Sequence, residues 1–353
     1  MGAGGIEAIV CGLANELAKN NTVTVCTLRQ YKDDDLFYHR LDPGVRKETL
    51  GKTEETSPLK VIFQVYSYLK RGDFDIIQIH GFFYYYLLAV LFLHRKKRFY
   101  YTVHSDAWKE NNPWDLRLLR IKRFCFQKKW IHPITISPAS KDSFTRLYHC
   151  ESKLILNGVT RPVFSRTDVS SPYRLTSDTR LFVNPGRICP QKNQGMLCRV
   201  FDRLIKEGWD ICLVIAGPNH VESSYKEIEP FLSERIRYIG ESSDVPSLLY
   251  YADGMALSSA WEGMPVVIIE SLAAGCPCIC TPVGGVVNMI ENGANGYLSQ
   301  SVSEEDYYQA MIQFLSLSEK EALEMREKAR ASFAPYDVAI MAENYYNYYL
   351  NNA

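Results

Sequence analysis

The chain has 353 residues, 46% hydrophobic and 23% charged, with 40 Lys+Arg against 40 Asp+Glu. That length calls for two domains rather than one core, and the composition excludes a disordered chain. The charge is uneven: Met1 to Ser165 carry 25 Lys+Arg against 16 Asp+Glu, and the remainder 15 against 24. A basic half suits an anionic surface or substrate, although two oppositely charged lobes attracting one another would read the same way.

Taken in chain order, "GAGGIE" opens an amphipathic pattern with Ile6, Val10, Leu13 and Leu17 at spacings of three and four. Strands are expected at "TVTVCTL" (22–28), "IIQIH" (76–80), "FYYTVH" (99–104) and "ITIS" (134–137). The apolar run "GFFYYYLLAVLFLH" from Gly81 is too short to span a bilayer and ends in "RKKR". No secretory leader is read at the start, so the protein is expected in the cytoplasm, at most lying on the membrane face. The stretch from Thr160 to Leu181, rich in Ser, Thr, Pro and charge, reads as the domain break. Beyond it, "RLFVNPG", "CLVIAG", "IRYIG", "GMALSS" and "CPCICTP" repeat the strand-and-helix plan. Such alternation predicts two doubly wound, Rossmann-like α/β domains facing a cleft, residues 1–165 and 166–335. The tyrosine-dense end, about 336–353, is expected to return to the first.

Ten cysteines lie mostly in apolar contexts, and Cys276, Cys278 and Cys280 alternate as a strand does, without the paired spacing of zinc sites. They read as reduced core thiols, and no metal is expected.

Four loops carry possible chemistry. "NPGRICPQKN" offers Arg187 and Lys192, which suit the oxygens of a diphosphate, although a basic loop is as readily solvated surface. Gly4 and Gly5 at a helix start would let a phosphate approach the backbone, without forming a full dinucleotide fingerprint. His104 directly follows a strand, a structural or a functional place. In "AWEGMPVVIIESLAAG" a loop and a helix from Pro265 to Ala274, stopped by Gly275, are expected. Glu262 precedes that helix, and Glu270 follows eight residues later, rotated by about 80° at 3.6 residues per turn. Both acids could then serve one ligand, with the N–H groups of Met264, Val266 and Val267 beside them. Two acids that merely happen to lie on a helix would look the same.

"EGMPVVIIE" resembles the E-x7-E element of the retaining nucleotide-sugar glycosyltransferases of family 4, which have the GT-B fold. "GRICPQKN" is similar to their GRxxxxKN loop, "GGIEAIV" to their glycine loop, "ILNGV" to their NGV, and "TPVGGVVNMIENGANGYL" to their TxxGG…NGxL segment. The resemblance implies a donor diphosphate countered by Arg187 and Lys192, making a divalent metal or other cofactor unnecessary. It also implies ribose hydroxyls on Glu270, sugar hydroxyls on Glu262, and His104 against the donor sugar. Met264, Val266 and Val267 amides would hold sugar and phosphate, with Gly4 and Gly5 admitting the phosphate. The implied activity is hexosyl transfer from a nucleotide-diphosphate sugar to a glycan or lipid-linked acceptor, as in polysaccharide biosynthesis.

Two departures bear on this. The family places a strand before its glycine loop, whereas this chain reaches "GGIE" at once. Either a start some ten residues upstream supplies that strand or the domain is compromised. Asn288 stands where the family often has an acid. "RLLRIKRFCFQKKW" (117–130), with six basic residues and no acid, suggests contact with anionic lipid or a lipid-diphosphate acceptor. Nucleic acid is not expected, since no recognised binding module accompanies it. A nucleotide-sugar epimerase and a catalytically inactive accessory protein remain the alternatives.

Overall fold

The structure, a computed structural model, describes residues 4–30 and 36–352. Two compact units emerge: Met1–Thr160 with Tyr336–Ala353, and Arg161–Pro335. Each is a parallel α/β layer structure built around its own core.

The first unit runs α1 (Gly5–Ala18), β1 (Thr24–Arg29), α2 (Leu36–His39), β2 (Arg46–Lys52), α3 (Pro58–Arg71) and β3 (Ile76–His80). It continues with α4 (Phe83–Leu93), β4 (Arg98–Val103), α5 (Pro113–Arg117), α6 (Leu119–Gln127), β5 (Ile131–Thr135), α7 (Pro138–Tyr148) and β6 (Lys153–Leu154). Sequence pattern placed the third of the strands of its larger sheet at 134–137. The fold ends it at Thr135 because Ser137 caps α7, its hydroxyl accepting from the Ser140 N–H in a reciprocal capping box.

One sheet per half was expected, but the first unit has two. β1 and β2 pair with each other, and β3-β4-β5-β6 form a separate parallel sheet. Among the described residues no strand joins β1 to β3. Packing holds the pieces together instead, with Leu28 and Leu50 lying against the core under β3 and β4. That core is aromatic, with Phe83, Phe99, Tyr101, Phe144 and Tyr148 out of solvent. Among the described residues no helix is long and apolar enough to cross a membrane.

The second unit comprises β7 (Arg180–Pro185), α8 (Gln194–Lys206), β8 (Ile211–Ala216), α9 (Glu222–Ile228), β9 (Ile236–Tyr238), α10 (Val245–Tyr251) and β10 (Gly254–Leu257). Then follow α11 (Val266–Ala274), β11 (Cys278–Cys280), β12 (Gly296–Leu298), α12 (Glu304–Leu315) and α13 (Glu319–Ala331). All six residues of "ICLVIA" in β8 are buried, as a central parallel strand covered on both faces requires. Strand order is β12-β11-β10-β7-β8-β9. The chain grows outward from β7 through β8 and β9, then restarts on the other side of β7 with β10. Ligands of doubly wound sheets collect beyond the carboxyl ends of the strands at such a reversal. The loops after β7 and β10 therefore stand where a ligand of this sheet would bind.

The last helix, α14 (Val338–Leu350), belongs to the first unit. Its tyrosines explain its composition: Tyr345 bonds Thr102 at 2.9 Å, and the Tyr349 hydroxyl donates to Gln78 Oε1 at 2.9 Å. Gly158 passes so close that a Cβ there would lie 2.8 Å from the Asp337 carbonyl.

Candidate active site

In the second unit the loop after β7 carries Arg187 and Lys192, and the loop after β10 carries Glu262. Main chain and side chain stitch them together. Ala260 N donates to the Gln191 carbonyl (2.8 Å), and the Ser258 hydroxyl reaches the carbonyls of Lys192 (3.0 Å) and Asn193 (3.1 Å). The result is an ion pair, Lys192 Nζ to Glu262 Oε1 at 2.7 Å, with side chains only 11% and 7% exposed. The Ser259 hydroxyl donates to the same oxygen (2.7 Å), and Gln191 Nε2 lies 3.4 Å from Oε2. Beneath them burial pushes the Cys280 thiol far above its usual value, with Cys278 and Glu262 adding to the rise, so it stays protonated.

Two glycines make room for this geometry. A Cβ on Gly217 would stand 2.2 Å from the Gly186 carbonyl oxygen, so the β7 and β8 loops touch only because it is absent. Gly284 has φ +54°, and a Cβ there would lie 1.9 Å from the Glu262 carbonyl oxygen. From the same segment Gly285 N donates to the Gly263 carbonyl (2.7 Å) and the Thr281 hydroxyl to the Ser259 carbonyl (2.6 Å). "TPVGG" is thus the shelf that holds the Glu262 loop.

Arg187 is exposed and makes no ion pair among the described residues. Its carbonyl accepts from Gln194 Nε2 at 2.9 Å, which fixes the loop and leaves the guanidinium in solvent. Glu270 is half-buried on α11. The rotation expected between the two acids does not apply. Pro265, at ψ 120°, is the N-cap rather than the first helical residue, so Glu262 lies wholly outside the helix. Loop geometry, not helical periodicity, sets where Glu262 points. Val266 and Val267 open α11, where N–H groups have no acceptor one turn earlier. Met264 is buried just ahead of them.

His104, Gly4 and Gly5 belong to the first unit. Gly4 is the N-cap of α1, its backbone extended at φ −144° and ψ 161°. His104 follows β4, and its backbone N–H donates to Glu110 Oε2 at 2.6 Å, with Ser105 N at 3.3 Å. The other Glu110 oxygen accepts from the Tyr101 hydroxyl at 2.8 Å. Behind it Lys122 is 1% exposed and donates to Asn111 Oδ1 at 3.0 Å. Burial pushes the Glu110 carboxyl up against the pull of Lys122, and pushes the Lys122 ammonium down. Lys122, one of the six basic residues of 117–130 expected to meet anionic lipid or a lipid-diphosphate acceptor, is instead an internal charge. The His104 ring meets His80, Nε2 to Nδ1 at 2.9 Å. Sequence reasoning passed over both His80 and Glu110. The signal for His80 was available, since both histidines end adjacent strands; for Glu110 there was none.

Comparison with known proteins follows the same division. Residues 3–161 match the family described as Glycosyltransferase Family 4, and residues 165–332 that described as Glycosyl transferases group 1. One curated relative is the UDP-Gal:alpha-D-GlcNAc-diphosphoundecaprenol alpha-1,3-galactosyltransferase of Escherichia coli. It is 25% identical over 201 residues, 54% of this chain and 48% of that enzyme. The chain spans about half the length of the first curated relatives it matches. Among solved structures, a glycosyltransferase from Rickettsia africae superposes with TM-score 0.83 at 18% identity, over 99% of this chain and 96% of that one. Anabaena HepE in complex with UDP does so with TM-score 0.78 at 19% identity, over 99% and 97%. At these identities the structural likeness speaks for the fold.

Proposed function

Since the chain belongs to the glycosyltransferases of family 4, with the GT-B fold, we propose that it moves a hexosyl group from a nucleotide-diphosphate sugar to a glycan or lipid-linked acceptor with retention of configuration. The observation that carries this reading is the Lys192–Glu262 pair, held with Arg187 on the loops flanking the reversal point of the second sheet. A donor diphosphate brings negative charge that both cations can counter, and it is also the leaving group. Charge developing there as the sugar departs is stabilised by groups already in place. Their presence is why no divalent metal or other cofactor is invoked. Glu262, released from Lys192 as phosphate takes over the ammonium, would accept from sugar hydroxyls. Glu270 would accept from the ribose, with the amides of Met264, Val266 and Val267 on sugar and phosphate. From the first unit, His104 would contact the sugar, and Gly4 and Gly5 would admit the phosphate.

The relative from Escherichia coli is named for a UDP-galactose donor and a diphosphoundecaprenol acceptor, and the HepE structure holds UDP. A uridine diphosphate sugar and a lipid-diphosphate acceptor are therefore the first pair to try. The first unit also exposes Trp108, Trp114, Ile121 and Phe124 among Arg117, Arg120 and Lys128, with Arg117 over the Trp114 ring at 5.0 Å. Rings and cations together suit an anionic membrane surface, where such an acceptor would be met. Calorimetric titration with UDP and UDP-sugars, followed by transfer assays with a diphosphoundecaprenol-linked sugar, tests the reading. Absence of any nucleotide binding would sink it.

A further inference from the structure

His80 and His104 close the carboxyl ends of two neighbouring parallel strands. The β3–β4 register sets His80 opposite Thr102, and His104 lies two residues further along. The rings are tilted by 31° with centroids 5.1 Å apart, and His80 Nδ1 stands 2.9 Å from His104 Nε2. His80 Nε2 and His104 Nδ1 make no hydrogen bond among the described residues. The main chain beside His104 is already pinned, because Glu110 Oε2 accepts from the N–H of both His104 and Ser105. Backbone and ring are thus held by two different partners.

Proton counting gives this contact a consequence. A 2.9 Å N···N separation holds one proton: two N–H groups would repel, and two lone pairs would make no bond. Two neutral imidazoles carry two protons, so the second sits at one outward nitrogen. His104 Nδ1 and His80 Nε2 must therefore have opposite roles, one donor and one acceptor. Among the described residues these outward nitrogens have no partner, and they lie at the strand ends where ligands of such sheets gather.

We infer that His80 is a positioning residue, which through this shared proton fixes the tautomer and ring plane of His104 and so decides whether His104 Nδ1 offers a donor or an acceptor to a donor-sugar hydroxyl. The inference rests on the proposed contact between His104 and the donor sugar and deepens it. Burial keeps both rings neutral, pushing His80 down to about 4 and His104 well below its usual value, with His80 adding to the latter shift. The charged groups around the pair are Glu110, on the His104 backbone, and Lys122 behind it.

The test needs the full chain and two readouts. In ¹⁵N-histidine-labelled protein at pH 7, His104 is expected in one neutral tautomer. His80→Leu should turn that signal into a mixture, and His80→Asn, whose amide lies near the lost Nδ1, should restore a single form. An unchanged His104 tautomer in His80→Leu overturns the inference, and this measurement requires no substrate. The second readout is hydrolysis of UDP-glucose, UDP-galactose or UDP-N-acetylglucosamine, whichever turns over fastest. His80→Leu and His104→Leu should each lower kcat by about tenfold to a hundredfold, the usual loss on removing an orienting partner, with KM little changed and activity regained in His80→Asn. Loss in His104→Leu but not His80→Leu overturns the inference alone. Full activity in His104→Leu overturns the sugar contact on which it stands. Thermal unfolding of each variant separates misfolding from either result.

Discussion

Lys192 and Glu262, 70 positions apart in the chain, meet in a 2.7 Å ion pair with little access to water. Each residue is proposed to serve a different part of the same donor, the cation its diphosphate and the acid its sugar. Pairing them keeps two enclosed charges from standing uncompensated. It also means that removing either one alone harms stability as well as ligand binding.

Lys192→Ala should therefore destabilise the protein by roughly 3 kcal/mol, the cost of stranding a buried carboxylate. Lys192→Met combined with Glu262→Leu should recover much of that loss, whereas nucleotide binding should stay abolished in the double variant. Urea unfolding of the two singles and the double closes the cycle. Strictly additive losses would contradict a coupled pair.

Arg187 gives the opposite signature. Its exposed guanidinium makes no ion pair among the described residues, so Arg187→Ala should move stability by no more than about 0.5 kcal/mol. UDP affinity should fall by roughly tenfold or more, as expected for a lost charge-assisted bond to phosphate. Calorimetry and unfolding on one preparation measure both.

Gly284→Ala adds a Cβ at a positive φ, directly against the Glu262 carbonyl. The substitution should cost about 2 kcal/mol or more, and it should weaken donor binding without touching any charged group. Unfolding midpoints and UDP titration check this together. Normal UDP binding would show that the shelf beneath Glu262 is dispensable.

Acid should reveal the half-buried histidine pair. Their folded values lie below 6.5, His80 at about 4, so between those limits the unfolded chain binds more protons than the folded one. The stability they allow is fully present above pH 6.5 and drains away as pH falls towards 4. Burial raises Glu110, which acts in the opposite sense on acidification. Comparing His80→Leu with the parent across pH 4.5 to 7.5 isolates the histidine part, and the variant should show the shallower slope.

Trp114→Ala with Phe124→Ala should release the protein from anionic vesicles at low salt by about tenfold or more, given two exposed rings of this size. High salt should do the same to the parent through its Lys and Arg side chains. Flotation with neutral and anionic vesicles reads both effects. Equal binding to the two lipid compositions would argue against an electrostatic surface.

Much of this was legible in the chain itself. The buried run of β8, the stop of α11 at Gly275 and the loops carrying Arg187, Lys192 and Glu262 follow from local chemistry: β-branched side chains favour strands, glycine tolerates a left-handed cap, and polar loops end apolar runs. Three things waited for the tertiary structure. Sequence counts a charge but does not say whether its tip lies in water, so Lys122 passed for a surface cation until α6 packed it against Tyr101 and Asn111. Helical rotation could not relate Glu262 to Glu270, since Pro265 leaves Glu262 outside the helix. The contacts of Lys192 with Glu262 and of His80 with His104 depend on which strands lie side by side. That order is set by long-range packing of whole strands and helices, and no local preference encodes it.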